Sequence, residues 1–135
     1  MTTLQAVQTY LLTIPVFFAI DMVWLVLIAK TFYNKQIGHL MSGTVNWPAA
    51  LLFYFLFIAG IIIFAVLPAV DKGSLGRAAL LGAIFGLMTY ATYDLTNLAT
   101  LKNWPVLVTV IDLIWGMTLS TLVASISYLI AQRIS

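Results

Sequence analysis

Three aspartates sit inside apolar runs of this chain: Asp21 in FAIDMVWL, Asp94 in TYATYDLTNLATL and Asp112 in VTVIDLIWG. Placing an ionisable side chain at the centre of a spanning helix costs about 2.5–3.5 kcal/mol, and one that persists there marks a functional site by default. In hydrocarbon a carboxyl group is held either as the neutral acid or against a cation. One turn after each Asp comes Trp24, Asn97 or Trp115, and Tyr90 and Tyr93 lead into Asp94. The candidate ligand-binding set is therefore Asp21, Trp24, Tyr90, Tyr93, Asp94, Asn97, Asp112 and Trp115. Trp24 and Trp115 lie too deep for an interfacial belt, where Trp47 and Trp104 belong. Their indoles can line a pocket and donate hydrogen bonds to a carboxylate. With Asp, Asn, Thr and Tyr oxygens and no thiolate, any metal would be a hard one such as sodium, magnesium or calcium. No cofactor is expected.

The elements that position these residues are membrane helices. Hydrophobic residues make up 63% of 135 and charged residues 7%, more apolar surface than a soluble chain of this size can hide. The bilayer is therefore the expected solvent, and the length suits one membrane domain, residues 1–135. There is no cysteine and one histidine, which removes disulfides, thiolate chemistry and the usual zinc or haem ligand sets. The net charge of +2 is dispersed, and nucleic-acid binding has no footprint. MTTLQAVQTY lacks a basic n-region, so the first apolar run reads as a spanning helix and not as a signal peptide.

Four spans are predicted, an all-α integral membrane four-helix bundle running up-down-up-down. The first covers Leu4 to about Ala29, with a kink at Pro15. A polar connection opens at Lys30, KTFYNKQIGHLMSGTVN, with an irregular apolar side suited to the interface. The second runs from Trp47 to about Leu67, carries no ionisable group and reads as a structural or lipid-facing span. PAVDKGS is then a turn punctuated by Pro68 and Gly73. The third, Leu75 to Leu101, repeats small residues every four positions at Ala78, Gly82 and Gly86, and the same stripe continues to Tyr90 and Asp94. Such a face lets a neighbouring helix approach closely. The connection at Asn103 is so short that the fourth span, Pro105 to about Ala131, must pack antiparallel against the third. Its own stripe is Asp112, Gly116, Ser120 and Ala124.

Counted from the membrane surface at Lys30, Lys102 and Trp104, each Asp lies eight or nine residues in, roughly 12–14 Å at the helical rise. The three carboxyls are thus expected in one layer. Interhelical hydrogen bonding, worth about 1 kcal/mol per bond, explains one such residue more readily than three. His39 and Lys35 read as solvated loop residues, and Asp71, Lys72 and Arg77 as an interfacial turn.

The segments DMVWL, NWPAALLFY, GAIFGLMTYATYDLTNLATL and NWPVLVTVIDLIWG are similar to those of a family of small bacterial inner-membrane proteins catalogued as domain of unknown function 2177. That resemblance covers essentially the whole chain. It implies a four-span protein of the bacterial inner (plasma) membrane and carries no activity.

Three functions fit the pattern. One is binding or proton-coupled transport of a small cation or cationic solute, which in so small a bundle would need a homo-oligomer. Another is a membrane-embedded enzyme using one Asp as acid and another as base on a lipid or isoprenoid-like ligand. The third is a non-catalytic accessory subunit. Basic residues divide three to three between the two faces, Lys30, Lys35 and Lys102 against Lys72, Arg77 and Arg133, so charge does not orient the chain. An even number of spans predicts that reporter fusions at the two termini report the same side of the membrane. Opposite sides would mean an odd number of spans.

Overall fold

The computed structural model describes residues 1–135 and is all-α. Four helices are long and apolar enough to span a bilayer: α1 (Thr3–Leu40), α2 (Trp47–Lys72), α3 (Leu75–Thr100) and α4 (Val106–Ile134). Their ends follow from local chemistry. Thr2 caps α1 in a reciprocal box, its hydroxyl accepting from the Gln5 N–H while the Gln5 side chain accepts from the Thr2 N–H. Asn46 accepts from the Ala49 N–H ahead of Pro48. Gly73 closes α2 in the left-handed region, φ 61°, where a side chain would be strained. Ser74 then caps α3 through the Arg77 N–H.

Two boundaries differ from expectation, and both involve a wide turn. At Leu25–Ala29 the helix widens to π geometry, with the Lys30 N–H donating to the Leu25 carbonyl, and the chain continues helically to Leu40. Lys30 to Leu40 is therefore helix and not a connection. The 38 residues of α1 measure about 57 Å, against roughly 30 Å of hydrocarbon, so Lys30 does not mark the helix end. A second π turn at Ile62–Val66 lets α2 run past Pro68 to Lys72. Pro68 has no N–H to offer and its ring crowds the carbonyl four residues back; the wider turn takes up that crowding.

The hairpin of α3 and α4 is the closest packing in the molecule. Its rungs pair Gly82 with Ala124, Gly86 with Ser120 and Tyr90 with Gly116. A Cβ on Gly82 would lie 2.7 Å from both the Ala124 Cβ and the Ser120 carbonyl oxygen, and one on Gly86 would run into the Gly116 carbonyl. Elsewhere α1 meets α4 through a buried hydrogen bond between the Thr13 and Ser127 hydroxyls, 2.7 Å. Phe17, Phe57, Ile58, Ile61, Leu119 and Val123 fill the core, which occupies the half of the bundle remote from the α1–α2 and α3–α4 connections. Much of that core comes from α2, which is accordingly a packing helix and not merely a lipid-facing one.

Gly86→Ala should lower the unfolding midpoint by the equivalent of about 1–3 kcal/mol, the usual penalty of overpacking. Gly43→Ala, where nothing lies within 4 Å, should leave it unchanged. Thermal unfolding of the detergent-solubilised pair checks this.

Candidate functional site

Continuing the α3–α4 register by one more step brings Asp94 opposite Asp112. The two carboxyls face each other. Asp94 has no exposed surface, and neither of its oxygens meets a hydrogen-bond donor. Asp112 is 8% exposed and accepts a 2.6 Å hydrogen bond from the Tyr33 hydroxyl.

Tyr33 lies in the stretch read from sequence as a loop, and the π turn in α1 is what aims it. In an unbroken helix the inward face carrying Phe17, Asp21 and Trp24 would continue at Ile28 and Phe32. The extra residue in the wide turn shifts that face to Ala29, Tyr33 and Ile37, and Ala29 and Ile37 are buried. Wide turns of this kind recur at functional sites.

Asp21 is not level with the other two carboxyls. Thr13 pairs with Ser127, and Trp24 stacks on Trp115 with centroids 4.4 Å apart and planes 5° apart. Both pairs belong to one antiparallel register, in which Asp21 stands beside Thr118 or Leu119. It is thus six or seven residues, about 9–10 Å, deeper than Asp112. The single layer expected from counting inward from Lys30 fails because α1 does not end there. Asp21, 7% exposed, lies instead against Tyr54 and Trp115. Between the two levels stands Tyr90, its ring on Gly116 and within electrostatic reach of all three aspartates. No three acidic or histidine side chains converge as a metal-binding group.

A cavity of about 960 Å³ opens among these helices toward the end that carries the α1–α2 and α3–α4 connections. Of the eight residues singled out from sequence, Asp21, Trp24, Tyr90, Tyr93, Asp112 and Trp115 line it, while Asp94 lies behind Asp112 and Asn97 is off the wall. Tyr33 and Tyr54 line it as well. The threonines of the TYDLTNLAT stretch do not contribute hydroxyls to the site. Thr92, Thr96 and Thr100 are exposed and donate to their own helix's carbonyls at Met88, Thr92 and Thr96, as threonine in a membrane helix commonly does. Trp104, in the connection between α3 and α4, packs inward. It is buried, donates its indole N–H to Thr109 at 3.0 Å, and closes the rim against Ile37 and Val108.

The chain matches the family described as Predicted membrane protein (DUF2177) over residues 6–129. It belongs to that family. As a member of DUF2177 it is a multi-pass integral membrane protein whose four spans all lie within the matched region or reach just beyond it. Comparison with curated proteins and with solved structures gives no match.

Tyr33 could have been suspected only as a tyrosine twelve residues beyond Asp21, since nothing in LVLIA signals the wide turn that orients it. Tyr54 carried a signal, being the only polar side chain in the middle of the second span. Tyr33→Phe should destabilise the protein by about 1–3 kcal/mol, because it leaves a buried acceptor without its donor. Thr96→Val, on an exposed and self-satisfied hydroxyl, should stay within about 0.5 kcal/mol. Unfolding midpoints of the two variants compared with the parent protein test the contrast.

Proposed function

We propose that this DUF2177 protein binds an organic cation in the cavity between its helices, with Asp21 and Asp112 supplying the charge and the aromatic side chains the walls. One observation carries the reading: two nearly buried carboxyl groups open onto a space walled by Trp24, Tyr33, Tyr54, Tyr90, Tyr93 and Trp115. Ring faces are electron-rich, and aromatic cages of this composition recognise quaternary ammonium groups. At about 960 Å³ the space falls in the range of small-molecule sites, roughly 300–1,000 Å³, and far exceeds what a bare ion fills. Lys30 is the one basic side chain on the lining, and it is exposed where Asp21 and Asp112 are buried.

Asp94 stands behind Asp112 with no donor on either of its oxygens, so Asp21 and Asp112 are the carboxyls that a cation in the cavity meets. Carriage of the cation across the membrane would require an oligomer, since four helices leave no room for two alternating paths.

The purified protein should gain thermal stability with tetramethylammonium. Asp112→Asn should remove that gain and Lys30→Ala should retain it. A parent protein indifferent to the ligand, or an Asp112→Asn variant that responds as the parent does, would rule the proposal out.

A further inference from the structure

The cavity presents its two carboxyls at different depths. Asp21 and Asp112 both line it and are both nearly buried, and the α1–α4 register sets them six or seven residues apart, about 9–10 Å. Cβ atoms tilt toward the N-terminus of their own helix. Because α1 and α4 are antiparallel, that tilt carries the Asp21 carboxyl deeper and the Asp112 carboxyl toward the mouth, so the two groups lean apart. The wall between them is aromatic. Tyr90 packs its ring on Gly116 and Trp24 stacks on Trp115, and all three rings face the cavity. Lys30, the one basic side chain on the lining, is exposed and stands nine residues nearer the mouth than Asp21. No basic group of the chain compensates the deeper carboxyl.

We propose that the ligand is a dication: a short linear diammonium with one head at Asp112, the other at Asp21 and its methylene chain across the rings between them. The inference rests on the cation-binding reading above and names the ligand class of that site. A single ammonium at either level leaves the other buried carboxyl without an opposite charge, and a buried charge without its partner is costly. Two heads satisfy both levels at once. Because they are joined, the second engages as an intramolecular event whose benefit depends on the linker matching the span. With carbon–carbon bonds of about 1.5 Å, an extended chain of six methylenes sets its two nitrogens roughly 9 Å apart, the separation of the two levels. A chain of ten overshoots it. The linker carries no polar group that the aromatic wall would leave unpaired, while the ring faces attract the ammonium at each end.

The test titrates the full chain, in a neutral detergent, with tetramethylammonium, hexyltrimethylammonium, hexamethonium and decamethonium, and reads affinity by calorimetry. Hexamethonium and hexyltrimethylammonium share one chain and differ in the second head, so their ratio isolates the contribution of the deeper charge. Hexamethonium should bind roughly tenfold or more tighter than hexyltrimethylammonium, and tighter than decamethonium. Asp21→Asn should reduce the first preference to within about threefold, and Asp21→Glu, which keeps the charge, should retain it. The comparison of ligands on the parent protein decides the matter even if the Asn variant does not fold. Equal affinity for hexamethonium and hexyltrimethylammonium, or an affinity that goes on rising to decamethonium, would overturn the inference, and the cavity would then hold a monocation. An Asp21→Asn variant that keeps the full preference would overturn it as well. Absence of binding by every member of the series would instead overturn the cation-binding reading itself.

Discussion

Backbone-to-backbone contact between α3 and α4 is the constraint from which the rest of the arrangement follows. Lipid offers no hydrophobic force to press helices together, so association depends on close packing and on hydrogen bonds between helices. At Gly82, Gly86 and Gly116 there is no room for a Cβ, and that closeness brings the following rung, Asp94 and Asp112, together as well. A larger residue at any of the three positions would push the helices apart and admit lipid or water beside the carboxyls. The buried acid at Asp94 is thus a consequence of a glycine-lined seam that begins one turn away as much as of its own neighbours.

The cavity arises where that tight seam meets two looser helices. The apolar core of Phe17, Phe57, Ile61 and Leu119 binds α1 and α2 to the hairpin in one half of the bundle. In the other half large aromatic side chains prop the helices apart, with Trp24 on Trp115 and Tyr93 edge-on to Trp104. Ile37, Trp104 and Val108 close the rim beyond them. Polarity is distributed unevenly across this space. Asp112 is held by Tyr33, Asp94 is hidden behind it, and Asp21 stands deeper with Tyr54. A ligand that satisfied the cavity would meet carboxyls at two depths, separated by about 9–10 Å, and rings at every level between them.

Much of this was legible in the sequence, because hydropathy and small-residue spacing are determined by single helices or by one short hairpin. Four apolar runs separated by turn residues define the spans, and a five-residue connection fixes the register of Asp94 against Asp112. What escaped depends on the backbone departing from the ideal helix. LVLIA is as apolar as its surroundings, yet it forms the π turn that extends α1, turns Tyr33 inward and invalidates Lys30 as a depth marker. The same kind of turn carries α2 past Pro68, where the residue type suggests a stop. Asn97, Thr92, Thr96 and Thr100 carry the right chemistry on the wrong faces. Periodicity counted from Asp94 places Asn97 only a turn away, but the cavity wall bends toward Tyr90 and Tyr93 instead.

An organic cation in the carboxyl-lined space would be visible in a structure of the protein with tetramethylarsonium, whose arsenic can be located by anomalous scattering. A single arsenic peak inside the cavity, in contact with the side chain of Asp112 or Asp21 and with the surrounding rings, is the predicted result. Arsenic bound only at the protein surface, with the cavity filled by water or lipid, would contradict it.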